Sequence, residues 1–168
     1  GVQTCALPIS LLGNSPLGGN NIAQLNDFTF NYPPNGSMNL RTRLRQTFPV
    51  TAANSFFQFA YAGVWEDGGH SCCDQPSFII NFYDCNGKLL PCGQLLSTPG
   101  AGCNNVNSSL NLCNNNCFAS NSQTAYWTNW QTKYMNFSSF INSCITVEII
   151  ASGCTQSGHI GVLFLDCE

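Results

Sequence analysis

The chain has 168 residues and a formal net charge of −3, from 5 basic and 8 acidic side chains, so only 8% of it is charged. Five cations cannot build the positive face that displaces counterions from a polyphosphate, which excludes nucleic acid as a partner. With 43% hydrophobic and 12% aromatic residues the chain is not disordered, and no apolar run approaches the ~18 residues of a membrane span.

Residues 1–9, Gly1-Val-Gln-Thr-Cys-Ala-Leu-Pro-Ile9, fit nothing that follows. They resemble, codon by codon, the translation of a short-read sequencing adapter, GGA-GTT-CAG-ACG-TGT-GCT-CTT-CCG-ATC. A genuine N-terminal extension or a signal-peptide tail is the alternative, and against the latter the segment has neither a basic n-region nor a long apolar h-region. The expectation is therefore an artefact over 1–9 on a metagenomic fragment, with a single domain over 10–168. Because Cys167-Glu168 directly follows an apolar strand, covalently linked neighbouring domains are also expected.

From Ser10 onward the pattern is strands and turns. Asn26–Tyr32 alternates polar and apolar residues and ends in the turn Pro33-Pro34-Asn35-Gly36. Leu40–Val50 alternates too, with Arg41, Arg43 and Arg45 on one face, and the aromatic run Ser55–Trp65 reads as a central strand. Ser77–Tyr83 leads through Asp84-Cys-Asn-Gly-Lys88 into a return strand Lys88–Cys92; Asn86-Gly87 predicts a type I′ hairpin, across which Cys85 and Cys92 could bridge. Gly93–Gln123 reads as a Cys- and Asn-rich loop, and Lys133–Phe137, Cys144–Ala151 and His159–Cys167 as the closing strands. Short strands between Gly, Pro and Asn turns, with no amphipathic helix, predict an all-β antiparallel sandwich or barrel.

The 11 cysteines point to an oxidising compartment, where disulfides persist. Zinc is the rival, since Cys113-x3-Cys117 has ligand-like spacing, but no second pair lies at a finger-like distance. Removing Cys5 with the artefact leaves ten disulfide candidates: Cys72, Cys73, Cys85, Cys92, Cys103, Cys113, Cys117, Cys144, Cys154 and Cys167.

Several short motifs in order carry a family resemblance. They are Leu11-Leu-Gly-Asn14, Phe48-Pro-Val-Thr51 leading into Asn54–Ala62, Glu66-Asp-Gly-Gly-His70, Asp74-Gln-Pro-Ser-Phe78 and Asp84-Cys-Asn-Gly87. Trp130 before Tyr134-Met-Asn-Phe-Ser138, Gly153-Cys-Thr-Gln-Ser-Gly-His-Ile-Gly161 and Asp166-Cys167 complete the set. Together they resemble a secreted β-sandwich domain of large Bacteroidota surface proteins, found beside PKD repeats and gliding-motility-type C-terminal sorting domains. The resemblance implies a jelly-roll-like fold, an extracellular or cell-surface setting and no catalytic activity. The long Gly93–Gln123 insert and the Cys72-Cys73 pair depart from that pattern.

Three constellations are candidate sites. His70 and His159 would lie at one edge of the sandwich if their strands pair antiparallel, and with Glu66 and Asp67 they form a candidate divalent-metal set. The plainer alternative is that both rings lock turns by hydrogen bonding. Arg41, Arg43 and Arg45 could bind the anionic groups of an acidic glycan, or simply keep a strand face solvated. Tyr126 and Trp127 lie among amides and are candidates for stacking on sugar rings, whereas the family resemblance implies a core position for Trp130. No Gly-x-Ser-x-Gly elbow or His-Glu-x-x-His motif occurs.

The expected function is a non-catalytic extracellular module acting in adhesion, carbohydrate binding or as a spacer. An accessory glycan-binding domain of a secreted hydrolase is the alternative, and a metal-dependent enzyme built on the two histidines is the third. The partner is then a glycan or cell-surface ligand, with a divalent metal ion as the one cofactor candidate.

Overall fold

The computed structural model describes residues 12–18, 22–26, 41–67, 69–99, 125–156 and 159–167, with the backbone alone of 111–113. Its strands are β1 (Ala23–Leu25), β2 (Arg41–Pro49), β3 (Phe56–Glu66), β4 (Ser77–Asp84) and β5 (Leu89–Ser97). They continue with β6 (Asn111–Cys113), β7 (Ala125–Trp127), β8 (Gln131–Asn136), β9 (Cys144–Ser152) and β10 (Gly161–Cys167). The adapter-like segment with Cys5, the expected strand Asn26–Tyr32 except for Asn26, and Cys103 and Cys117 lie outside the described residues.

Two antiparallel sheets pack face to face. One runs β1-β10-β3-β7-β6, with β8 also paired to β3; the other runs β2-β9-β4-β5. The pairings are nested along the chain: β1 with β10, β2 with β9, β3 with β8, and β4 with β5. A single antiparallel ribbon, wrapped so that the successive nested pairs alternate between sheets, gives this order. It is the jelly-roll arrangement, and the all-β sandwich expected from the turn spacing is what forms.

The period-two pattern decides which side chains fill the space between the sheets. From β3, Phe59, Tyr61 and Trp65 enter the main core; from β10, Leu163 and Leu165; from β4, Phe78, Ile80 and Phe82; and from β9, Ile145 and Ala151. Trp65 stacks on Phe78 with centroids 5.5 Å apart, and Phe57, Phe59, Phe82 and Phe137 continue the run of rings. Gly63 makes room for this packing: a Cβ there would lie 2.4 Å from the Trp65 ring. The opposite face of the larger sheet is covered as well, by a second cluster of Leu12, Ala62, Val64, Val162 and Phe164 with Trp127 and Trp130 against it. Burial on both faces explains why β3 and β10 read as continuous apolar runs.

Three local expectations are corrected. The β4–β5 turn is not type I′: the residues there with positive φ include Gly87 (78°) but not Asn86. Gly87 N–H donates to Asp84 C=O (3.0 Å), and the Asp84 carboxylate accepts from Asn86 N and Lys88 N (2.9 Å each). This is a type I turn closed by a left-handed glycine, with the Asp side chain supplying the acceptor.

The second correction concerns Cys85, which bonds Cys144 rather than Cys92. Asp84 pairs with Ile145 across β4 and β9, so the next rung brings Cys85 opposite Cys144. Cys92 is displaced by an irregularity in β5, where Asn81 pairs with Gln94 but Tyr83 with Leu89, and it takes a positive φ of 54°. Third, the long loop starts later than expected, because β5 continues to Ser97, where Ser97 and Thr98 are buried.

Candidate functional sites

The β3–β10 pairing brings Trp65 opposite Gly161 and so places the segments after β3 and before β10 at one end of the sandwich. His70 and His159 meet there, with ring centroids 5.0 Å apart at 65°. Cys154, a thiol on the turn between β9 and β10, completes the group: its Sγ lies 3.3 Å from His159 Nδ1. One donor atom from each of the three residues falls within 4.8 Å of the others. Burial and the neighbouring His70 ring hold His159 below the ordinary imidazole range, with Asp67 opposing them.

The carboxylates expected beside this pair do other work. Glu66 Oε2 accepts from Ile160 N (3.0 Å), and Asp67 Oδ1 accepts from Gly69 N (2.8 Å) and Gln75 Nε2 (2.5 Å). They fix the two loops that carry the histidines. Glu66 is 7% exposed; burial pushes its pKa up, and the Ile160 N–H only partly offsets this. Sequence reasoning counts Cys154 among the ten disulfide candidates, and that reading hides it as a ligand.

The arginine ladder lies on the outer face of the smaller sheet, where the register lines up Arg45, Glu148, Asn81 and Gln94 in one row. Arg43 Nε donates to Glu148 Oε2 at 2.7 Å, and Arg43 Nη2 contacts the same oxygen. Arg45 Nη1 stands 3.8 Å from that oxygen, and its guanidinium lies 5.9 Å above the Tyr83 ring. Tyr83 Oη donates to Glu148 Oε1 at 3.3 Å. Burial alone would raise the Glu148 pKa, yet the Arg43 hydrogen bond and charge outweigh it and leave the carboxyl below its usual range. Arg43 and Arg45 are thus engaged within their own sheet, while Arg41 is exposed opposite Ser152.

Neither aromatic singled out from the sequence is an open stacking surface. Tyr126 packs against the main core, and Trp127, opposite Val64, packs with Trp130 on the second cluster. Trp130 is in that outer cluster rather than in the main core, and its Nε1–H donates to Gly13 C=O at 3.2 Å. A short strand, β7, turns Trp127 toward the covered face, and nothing in its local sequence signalled that strand.

Among the described residues the exposed aromatics are elsewhere. Phe56 is 62% and Tyr134 57% exposed, and their ring centroids are 5.8 Å apart with planes inclined by 36°. Phe56 faces Asn136 and Gln58 faces Tyr134 across β3 and β8, so all four side chains share one face of the larger sheet. Asn136 Oδ1 accepts from Ser138 N (2.9 Å), which ties the end of β8 to the following turn. The alternation in Phe56-Phe57-Gln58-Phe59 carries the signal: of two adjacent phenylalanines in a strand, one must face away from the core.

Among the other cysteine candidates, Cys72 is disulfide-bonded, whereas Cys73, Cys92 and Cys167 are exposed thiols. Of Cys113 only the backbone, in β6, is described. Compared with protein-family models, with curated proteins and with solved structures, the chain matches none.

Proposed function

We propose that the chain is a non-catalytic extracellular sandwich module that binds carbohydrate, with Phe56 and Tyr134 as its stacking platform. The observation that carries this reading is the pair itself: two large rings, each more than half exposed, in contact on a rigid sheet face. Exposed aromatic area of this kind is avoided on a surface that serves only solubility. Apolar C–H faces of sugar rings pack on aromatic π-faces, and the Gln58 and Asn136 amides beside the pair match the hydroxyl groups of such a ligand. The incline of 36° suits consecutive rings of a twisted chain better than one flat disc.

The Cys85–Cys144 disulfide supports an oxidising, extracellular setting, as does the resemblance to Bacteroidota surface domains. Within a larger protein the module would serve adhesion or hold a polysaccharide for a neighbouring hydrolase. The arginine ladder is assigned to structure in this reading, because Glu148 and Tyr83 engage two of its three cations.

Affinity electrophoresis through polysaccharide-containing gels, preceded by a glycan array, tests the proposal. The protein is expected to be retarded by at least one glycan, and Phe56→Ala and Tyr134→Ala each to weaken that binding about tenfold or more, equivalent to about 1.4 kcal/mol. Undiminished retardation of both variants contradicts the platform. Binding of no glycan leaves the spacer role.

A further inference from the structure

We propose that His70, Cys154 and His159 form a binding site for a thiophilic divalent transition metal, with Zn2+ as the reference ion. The site is separate from the aromatic platform: Phe56 and Glu66 mark opposite ends of β3, roughly 33 Å apart at about 3.3 Å per residue.

Three observations converge. The first is the donor set, since two imidazoles and a thiol are the ligand types that zinc and copper select over magnesium or calcium. The second is spacing. Tetrahedral zinc, with Zn–N about 2.0–2.1 Å and Zn–S about 2.3 Å, requires donors about 3.3–3.6 Å apart. Cys154 Sγ and His159 Nδ1 are at 3.3 Å, and the whole set lies within 4.8 Å, so small side-chain rotations bring all three onto one ion. The third is an orphaned atom: His70 Nε2 is buried and has no hydrogen-bond partner. A buried nitrogen left so carries an uncompensated desolvation cost, which coordination of a metal would recover.

The backbone holds the donors ready. Cys154 N donates to His159 C=O (3.1 Å), closing the turn that carries both residues, and Thr155 N donates to Asp74 C=O (3.1 Å), tying that turn to the loop of His70. Gln75 Nε2 bridges Asp67 Oδ1 and the His70 carbonyl (3.3 Å), fixing the backbone from which the His70 ring projects. Cys154 is 1% exposed, so its sulfur would meet the ion away from bulk solvent and bind it as thiolate. Binding is balanced by release of the thiol proton to solvent, and three protein ligands leave one tetrahedral position for water.

The test uses the whole chain, freed of metal with a chelator and exchanged into Co2+ or Zn2+. Co2+ is expected to bind at one equivalent, with a thiolate-to-cobalt charge-transfer band and the visible bands of a tetrahedral site. Cys154→Ser should abolish the charge-transfer band. His70→Gln and His159→Gln should each weaken Zn2+ binding, measured calorimetrically, by tenfold or more. Near-ultraviolet circular dichroism and a cooperative melt of each variant establish that its fold persists. Folded protein without the sulfur band, or folded Cys154→Ser binding metal as the parent does, overturns the proposal. So does mass-spectrometric detection of Cys154 in a disulfide of the native protein.

Discussion

Replacing both Cys85 and Cys144 by serine removes a crosslink between residues 59 apart in sequence, and the structure says where the cost arises. The bridge extends an existing ladder, because β4 and β9 are already paired from Ser77↔Ser152 to Asp84↔Ile145. The native contacts therefore survive its loss, and the effect falls on the unfolded chain, which gains the freedom that the loop closure had removed. The chain-entropy relation for a loop of this length gives about 4 kcal/mol at 25 °C, and native bridges commonly contribute about 2–4 kcal/mol. For a domain of this size, that lowers the melting temperature by roughly 5–15 °C. Urea unfolding of the parent and the double variant, followed by tryptophan fluorescence, measures the difference. The denaturant slope should rise as well, since an uncrosslinked chain exposes more surface. A loss below about 1 kcal/mol with an unchanged slope would refute the reasoning, and so would a variant with no native near-ultraviolet signal.

The remaining predictions concern the core, the two buried glutamates and Trp127. Gly63→Ala places a methyl group in the space of the Trp65 ring and should cost about 1–3 kcal/mol; a melt at or above the parent temperature would show that the ring can move aside. The Glu148 carboxyl is held below 4.5, so the unfolded chain binds more protons below that pH. Its stabilisation is present above pH 4.5 and is lost as pH falls through the folded value, and Glu148→Gln should flatten that limb of a stability–pH profile. Glu66 has the opposite sign: its raised pKa costs stability as pH rises from 4.5 through the folded value, so Glu66→Gln, which keeps an acceptor for Ile160 N–H, should raise the melting temperature at pH 7. Trp127→Ala should lower stability through loss of the second cluster while leaving carbohydrate retention intact, measured on the same gels below its melting temperature.

Strands were legible wherever one side of the chain had to face a core. The alternation in Leu40–Val50, the aromatic run to Trp65 and the apolar strands after Ser77, Cys144 and His159 all became strands within a residue or two. What sequence concealed was non-local. The partner of Cys85 depends on the β4–β9 register, which no hairpin argument reaches, and the adjacent hairpin misled because Gly87 alone takes the positive φ that both Asn86 and Gly87 were expected to share. Trp127, between Tyr126 and Thr128, and Tyr134, between Lys133 and Met135, each have one polar and one less polar neighbour; only the sheet faces distinguish the covered ring from the open one. The histidine pair was anticipated from strand pairing, whereas Cys154 joins it through a turn whose closure depends on the Cys154–His159 backbone hydrogen bond.

The most direct test of the carbohydrate-binding assignment is a backbone amide chemical-shift titration of the chain with the oligosaccharide that retards it most. Shifts concentrated on Phe56, Gln58, Tyr134 and Asn136 are the predicted result. Shifts concentrated on Arg41, Arg43 and Arg45 at saturating ligand, with those four residues unmoved, would contradict it.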